Sequence, residues 1–548
     1  MLMTSAIALS AGMTAMTAYA EDAATTYTLT VDAGDVATRT YEVYQIFKGD
    51  LHGDVLSNLV WGDGITSEGQ TQLGVASTYA GGITEANAPT KATELSKYLN
   101  SAKAKKVGAK AGDSNANVAE LNNLEAGYYL IKDVSDFSNK EDANSRYLLK
   151  VVKNETVSPK KDVPTLDKNI IEGTTKTKAN TANIGDKIDF QLDSKVPDMT
   201  GYNKYFFIVN DTMEKGLTFN NDVAITVGDK TLEEGTDFSV ETSGNNFEIV
   251  FMNFIQYNST EYKGKEIKIN YSATLNENAD FYNDSNDNTV SLTFSNNPNH
   301  EYKGIPDEPG NPGNPNKPGT EDKNVTGKTP DEVTKTYTTG LKLTKVDGAD
   351  STKKLAGATF RLSGEGITAT VVNGTYYKLD STGTFYMLKD GSFTDTAPAT
   401  DTSDKYASTE KYKKVTESTE ITALQNIVTE ATSGPDGVIE FKGIKPGTYT
   451  LTEIKQPDGY NKLAEPLKVV ITGNATNSEA WTATVGSKTA TLGSTSNLFE
   501  TEIENNKGAT LPGTGGIGTA LFYTAGTLLI AGGATLLITK KRMNVKEK

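Results

Sequence analysis

The segment Gly447-Thr-Tyr-Thr-Leu-Thr-Glu453 has the pattern that decides the fold of this chain. Successive side chains of a β-strand point to opposite faces of a sheet, so Tyr449, Leu451 and Glu453 share one face. Tyr449 and Leu451 are typical core residues, and Glu453 is therefore expected to point inward with them. The segment predicts a strand that carries a carboxylate into a hydrophobic interior.

The same two-residue period recurs along the chain and indicates an all-β protein. Clear examples are Lys187–Leu192 and Thr289–Phe294, and the composition includes 25 tyrosines and 50 glycines. Short alternating strands separated by turns are typical of antiparallel β-sandwiches. We therefore predict tandem immunoglobulin-like β-sandwich domains.

Changes in composition divide the 548 residues into segments. A turn-rich link follows Val157, and the proline- and glycine-rich stretch from Gly304 to Gly319 indicates an extended linker or exposed loop. The predicted organisation is a signal peptide at 1–20, an N-terminal domain at 21–157, a middle domain at 158–302, a linker at 303–337, a C-terminal domain at 338–507, and a sorting signal at 508–548 that contains a transmembrane helix at 517–539.

The two ends of the chain indicate export and anchoring. Residues 1–20 are apolar and end in Ala18-Tyr19-Ala20, which fits a signal-peptide cleavage site. The C-terminal part reads Leu511-Pro-Gly-Thr-Gly515, then an apolar run long enough to cross a hydrocarbon core of about 30 Å, then Lys540-Lys-Arg542. These three features in order resemble the cell-wall sorting signal of Gram-positive bacteria. The resemblance implies that a sortase cuts between Thr514 and Gly515.

Composition excludes several classes of function. The formal net charge is −16, which argues against nucleic-acid binding. There is no cysteine, so disulfides cannot stabilise an exported protein of this size. His52 and His300 are the only histidines, which makes a His-rich metal site or a Ser-His-Asp hydrolase improbable. We expect no cofactor, no metal and no enzymatic turnover.

Three polar residues occupy inward-facing positions in the predicted C-terminal domain. Strand parity places Lys345 with Leu341 and Leu343, and Asn505 with Ile503, on faces that match that of Glu453. Burial lowers a lysine pKa and raises a glutamate pKa, so a neutral amine could attack the amide while the carboxyl moves protons.

This constellation resembles the Cna B-type domain of Gram-positive surface proteins. The resemblance implies that Lys345 is the nucleophile, Asn505 the electrophile and Glu453 the proton shuttle of a Lys–Asn isopeptide bond.

The middle domain repeats the pattern with an aspartate. Lys168 lies in its opening strand, Asp211 lies mid-domain, and Val290, Leu292, Phe294 and Asn296 alternate in its last strand. The arrangement is similar to that in the middle isopeptide-forming domain of sortase-assembled pilins. Lys168, Asp211 and Asn296 are the residues carried over, with Asn297 as an alternative electrophile that strand parity disfavours.

The N-terminal domain departs from this pattern. Gly127–Asp133 resembles the strand that carries the acid, with Asp133 at the acid position and Asn154 near the last strand. The opening strand from Tyr27 to Val31 has no lysine, so no cross-link is predicted there.

The link between the first two domains offers an acceptor lysine. Pilins of this family place a lysine in a Tyr-Pro-Lys motif at this boundary, and here the stretch is Ser158-Pro159-Lys160-Lys161. Pro159 and Lys160 match, Ser158 replaces the tyrosine, and Lys161 replaces the usual asparagine. Lys160 is the predicted sortase acceptor, with Lys161 as its rival.

Nearly the whole chain thus resembles the backbone pilins of sortase-assembled Gram-positive pili. The resemblance implies a shaft subunit that forms a covalent homopolymer and supports adhesion. The expected partners are a pilus-specific class C sortase, a housekeeping sortase, identical subunits, peptidoglycan, minor pilins and host surface ligands. A monomeric wall-anchored adhesin and a minor or basal pilin are the alternatives.

Overall fold

The computed structural model describes residues 25–32, 39–108, 118–159, 162–364, 369–372, 375–380, 382–388, 393–397, 411–416, 430–476, 480–508 and 517–544. Strands dominate the described chain, and the predicted all-β class of tandem β-sandwich domains is confirmed. The chain forms two compact units, the first ending at Thr338 and the second beginning at Thr339.

The N-terminal region contains two sheets and three short helices. The sheets have the orders β3-β2-β6-β7, with β4 on β2, and β5-β1-β8. The elements are β1 (Tyr27–Asp32), β2 (Thr40–His52), β3 (Val55–Trp61), α1 (Ser67–Leu73), α2 (Ala76–Gly81), α3 (Ala88–Ser96), β4 (Lys105–Gly108), β5 (Val118–Leu124), β6 (Gly127–Asp133), β7 (Arg146–Val151) and β8 (Glu155–Val157). Helix α1 begins where the Thr66 side chain accepts a hydrogen bond from the Gly69 amide, and α3 has Pro89 in its first turn.

The middle region is a sandwich of two large sheets. Buried side chains from both sheets, such as Phe190 and Leu192 from one and Val209 and Val290 from the other, belong to one core cluster. The sheet orders are β10-β9-β12-β19-β15-β16, with β14 on β19, and β11-β22-β20-β13-β18-β17, with β21 on β20. The strands are β9 (Asp167–Glu172), β10 (Thr175–Thr177), β11 (Ala179–Thr181), β12 (Lys187–Lys195), β13 (Phe207–Met213), β14 (Leu217–Phe219), β15 (Ala224–Val227), β16 (Lys230–Thr231), β17 (Phe238–Ser243), β18 (Asn246–Phe251), β19 (Glu266–Leu275), β20 (Asn286–Ser295), β21 (Thr326–Lys328) and β22 (Glu332–Tyr337).

The second unit is built around one ten-stranded sheet of order β24-β23-β37-β36-β35-β34-β33-β25-β31, with β32 on β23. Smaller sheets are β26-β27-β30 and β28-β29. The first strand, β23, lies parallel to the last, β37, with Lys345 opposite Ile503. The strands are β23 (Thr339–Asp347), β24 (Asp350–Lys354), β25 (Thr359–Gly364), β26 (Ala369–Val372), β27 (Thr375–Leu379), β28 (Tyr386–Met387), β29 (Phe393–Thr394), β30 (Tyr412–Val415), β31 (Glu430–Thr432), β32 (Val438–Ile444), β33 (Gly447–Lys455), β34 (Leu467–Thr472), β35 (Thr482–Val485), β36 (Lys488–Leu492) and β37 (Phe499–Asn505).

A helix, α4 (Ile517–Asn544), follows the second unit and contains the predicted span 517–539. Within the described part of the chain, no helix is both long enough and apolar enough to cross a membrane. The predicted signal peptide at 1–20 lies outside the described residues.

The segment 303–337, which the sequence predicted to be a linker, is instead folded into the middle region. Strands β21 and β22 pair with β20, and β22 also pairs in parallel with β11. The proline- and glycine-rich stretch is closed by Asp322, which is 1% exposed. Its carboxylate accepts hydrogen bonds from Gly304 N at 2.8 Å and Gly319 N at 3.2 Å, and lies 2.8 Å from His300 Nε2. One buried carboxylate thus replaces the apolar contacts that this composition lacks.

Replacing Asp322 with alanine should open this stretch, because the backbone amides of Lys303, Gly304 and Gly319 lose their buried acceptor. We expect hydrogen exchange of the peptide that contains Gly304 and Gly319 to accelerate about tenfold or more, measured by mass spectrometry. Asp331→Ala is the matched control, since Asp331 forms only an exposed ion pair with Lys328. Equal exchange in both variants would contradict the role of Asp322.

Candidate cross-linking sites

The second unit brings together the three residues predicted from strand parity. Lys345 on β23, Glu453 on β33 and Asn505 on β37 are 0%, 2% and 2% exposed. Lys345 Nζ lies 3.9 Å from Glu453 Oε1 and donates to the Ile503 carbonyl at 3.1 Å. Asn505 Nδ2 donates to Glu453 Oε2 at 3.0 Å. The carboxylate therefore stands between the amine and the amide.

The surroundings of this triad favour a neutral amine. Burial lowers the pKa of Lys345 to about 8. Glu453 Oε2 also accepts from the Leu463 amide at 2.7 Å, which fixes the carboxylate in place. Among the described residues, Glu453 Oε1 and Asn505 Oδ1 have no hydrogen-bond partner.

The middle region holds a second buried lysine–acid pair. Lys168 Nζ on β9 donates to Asp211 Oδ2 on β13 at 2.9 Å, and both side chains are fully buried. Burial lowers the pKa of Lys168 to about 8 and raises that of Asp211. Tyr271 on β19 donates to the same Asp211 oxygen at 2.5 Å. The structure therefore brings together two of the three residues predicted for this domain.

Asn296, the predicted electrophile, is not part of this cluster. Its Nδ2 donates to the carbonyls of Phe137 at 2.7 Å and Asp142 at 3.1 Å, both in the N-terminal region. Strand β20 ends at Ser295, so Asn296 has already left the sheet. The alternative, Asn297, is only partly buried, and its Oδ1 accepts from the Asn299 amide at 2.9 Å.

Asn288, which the sequence reasoning missed, supplies the buried amide. It lies on β20, is 0% exposed, and donates from Nδ2 to the Tyr271 hydroxyl at 3.4 Å. Its Oδ1 has no partner among the described residues. Asn288 has the same strand parity as Val290 and Leu292. The alternation that led to Asn296 in one direction along the strand therefore leads to Asn288 in the other. Sequence parity alone does not decide between the two ends of the strand.

The acid of the N-terminal region faces an arginine. Arg39, 1% exposed, donates to Asp133 at 2.5 Å and to Asp142 at 2.5 Å. Asn144 Nδ2 lies 3.4 Å from the other Asp133 oxygen, whereas Asn154 accepts from the Thr28 amide. A guanidinium stays protonated and is no nucleophile. The sequence analysis named the acid but missed Arg39, which precedes β2.

The sorting and acceptor residues, Thr514, Gly515, Lys160 and Lys161, lie outside the described residues. In the portion of the chain that the structure describes, no group of three or more histidine or acidic side chains could hold a metal ion.

Comparison with known proteins finds family models that match parts of the middle region, the second unit and the C-terminal segment. Residues 184–298 match the model of the Cna-B-like domain of Gram-positive pilin backbone subunits, and residues 339–484 match a prealbumin-like fold domain. Residues 503–545 match the LPXTG cell wall anchor motif.

Individual proteins show the same likeness. The trypsin-resistant surface T6 protein of Streptococcus pyogenes is 26% identical over 434 residues, which are 73% of this chain and 72% of that protein. The type 1 fimbrial subunit of Actinomyces viscosus is 34% identical over 97 residues, which are 18% of this chain and 16% of the subunit. The solved T6 backbone pilin of S. pyogenes serotype M6 has the same fold, with a TM-score of 0.51, 17% identity, and coverage of 90% of this chain and 100% of that one.

The anchor motif and the pilin domains define a cell-wall-anchored surface protein of the Gram-positive type. Within that class, the chain is similar to the backbone pilins of Gram-positive pili over most of its length.

An Asn505→Ala variant cannot form the cross-link and should reveal the lowered pKa of the Lys345 amine. The folded-state pKa of about 8 lies below the unfolded value of about 10.4, so the folded chain binds fewer protons between these values. The contribution of Lys345 to stability should therefore be most favourable above pH 10.4 and fall by about 3 kcal/mol as the pH drops to 8.

Unfolding in urea at several pH values, followed by Trp481 fluorescence, measures this slope. The control is the double variant Asn505→Ala/Lys345→Met, which has no amine at this position and should lack the slope. Parallel pH profiles of the two variants would show that Lys345 has an ordinary pKa.

Proposed function

We propose that this chain is a backbone pilin, the shaft subunit of a covalent pilus, and that each subunit is stabilised by autocatalytic Lys–Asn isopeptide bonds. The contact of Lys345, Glu453 and Asn505 in a dry interior carries the proposal. Burying an amine and a carboxylate together is costly, and a reaction that consumes the amine removes some of that cost.

The reaction in the second unit begins with a proton transfer. Lys345 gives a proton to Glu453, and the neutral amine then attacks Cγ of Asn505. The protonated carboxyl hydrogen-bonds the amide oxygen, on which negative charge develops. Glu453 then gives its proton to Nδ2 and takes the second proton from Nζ. The bond between Cγ and Nδ2 breaks, ammonia leaves, and an amide joins Nζ to Cγ. The bond ties β23 to β37.

The middle region supports the same chemistry with Lys168, Asp211 and Asn288. The bond would join β9 in one sheet to β20 in the other. Two sheets linked in this way resist separation by force or protease without any cysteine, which suits an exported chain that has none. Asn288 replaces Asn296 as the proposed electrophile.

Intact mass tests both bonds, because each expels one ammonia of about 17 Da. A fragment from Glu21 to Thr510 should weigh about 34 Da less than its sequence mass. Lys345→Ala and Asn288→Ala should each reduce the deficit to about 17 Da, whereas Asn296→Ala should leave it unchanged. A wild-type fragment whose mass equals the mass calculated from its sequence would refute the cross-linking chemistry.

Polymerisation is proposed to join subunits head to tail. A sortase would cleave after Thr514 and hold its carbonyl as a thioester, and an exposed lysine amine of the next subunit would displace the enzyme. Lys160 is the proposed acceptor. A housekeeping sortase would pass the finished fibre to peptidoglycan, and minor pilins and host ligands would be further partners.

Lys160→Ala should abolish the high-molecular-weight ladder of cell-wall extracts on denaturing gels, because no amine remains at the acceptor position. Lys161→Ala is the matched control and should leave the ladder intact. The opposite result would make Lys161 the acceptor. A wild-type chain that runs only as a monomer would favour a wall-anchored adhesin. Immunogold label confined to the tip or base of a fibre would favour a minor pilin.

A further inference from the structure

The hydroxyl of Tyr271 bridges the acid and the amide of the middle region. It donates to Asp211 Oδ2 at 2.5 Å and accepts from Asn288 Nδ2 at 3.4 Å. Lys168 Nζ contacts the same Asp211 oxygen at 2.9 Å. The four side chains therefore form one hydrogen-bonded line from amine to acid to phenol to amide.

The second unit has no such intermediary between its acid and its amide. There Glu453 Oε2 accepts directly from Asn505 Nδ2 at 3.0 Å. In the middle region, Asp211 Oδ2 is occupied by Lys168 and Tyr271, and Oδ1 has no hydrogen-bond partner among the described residues. Aspartate is one methylene shorter than glutamate, and in the middle region the Tyr271 hydroxyl contacts both the acid and the amide.

We propose that Tyr271 is a catalytic residue of the Lys168–Asn288 cross-link and relays the proton of Asp211 to the leaving nitrogen. This inference rests on the proposed function, because it names a further group in the same reaction.

Lys168 transfers a proton to Asp211, and the neutral amine adds to Cγ of Asn288, which turns Nδ2 from an amide nitrogen into a basic amine. Tyr271 then donates its hydroxyl proton to Nδ2 and takes the Asp211 proton in exchange. The bond between Cγ and Nδ2 breaks and ammonia leaves. The nitrogen of Lys168 loses its second proton to the Asp211 carboxylate, so the phenol and the carboxyl group each end as they entered the addition step.

The protein holds Tyr271 as a neutral and immobile relay. Burial raises its pKa well above the usual value, so the hydroxyl keeps its proton. The ring stacks on Phe190 at 5.4 Å and meets Phe247 edge-on at 5.2 Å between centroids. These contacts fix the hydroxyl between its two partners, as proton transfer in a single line requires.

Tyr271→Phe removes only the hydroxyl and tests the relay. The Glu21–Thr510 fragment is expressed in a short pulse, and its intact mass is followed during a chase. Loss of the second ammonia should slow on the order of 100-fold, while the Lys345–Asn505 bond in the same molecules forms at the normal rate. Peptide mapping assigns each loss to its site.

Two further variants separate a relay from packing. Tyr257→Phe removes a hydroxyl from the same core and should leave the rate unchanged. Among the described residues, this hydroxyl accepts a hydrogen bond only from Lys230 Nζ, at 3.3 Å. Tyr271→Phe/Asp211→Glu supplies an acid of the length found in the second unit and should recover cross-linking.

The outcomes distinguish the relay from the reaction itself. Equal rates for wild type and Tyr271→Phe would overturn the relay and leave the proposed function standing. Equal slowing by Tyr257→Phe would also overturn it, since any loss of packing would then suffice. A wild-type fragment that never loses ammonia from the middle region would overturn the cross-link and the relay together.

Discussion

An amine enclosed in a hydrophobic core constrains this molecule more than any other single feature. Burial removes the amine from bulk solvent, so the charged form of lysine is disfavoured and an acid must stand beside it. Both Lys345 and Lys168 meet this requirement in separate sandwiches, each with one carboxylate and one amide at hand. An aromatic ring packs near each amine, Phe360 beside Lys345 and Phe190 beside Lys168, and contributes to their burial.

Strand alternation predicted the inward direction of Lys345, Glu453 and Asn505, because parity depends on neighbours two residues away. Lys168 and Asp211 were instead predicted from the family resemblance. Parity predicts which face of the sheet a side chain occupies, but not which residues on other strands lie level with it. The amide of the middle region was therefore placed at Asn296, whereas β20 carries Asn288 beside Tyr271 at its other end. The register between strands that are distant in sequence decides which residues lie level, and a single sequence does not show that register directly.

Composition misled in a different way at the stretch from Gly304 to Gly319. Proline and glycine exclude a hydrophobic core, but they do not exclude an ordered loop when a buried carboxylate accepts its amides. The role of Asp322 depends on contacts that form only after folding. Arg39 was missed for a similar reason, since it meets Asp133 and Asp142 from about 100 residues away.

The parallel pairing of β23 with β37 determines how the second unit would carry a load. The chain enters at the start of β23 and leaves at the end of β37, so tension along the chain pulls two adjacent strands past each other lengthwise. Seven paired positions, from Leu341 with Phe499 to Asp347 with Asn505, would share this shear at once instead of separating in succession. The eight other strands of the large sheet lie off the shortest path between the two ends, and they serve as a support for a tether only two strands wide.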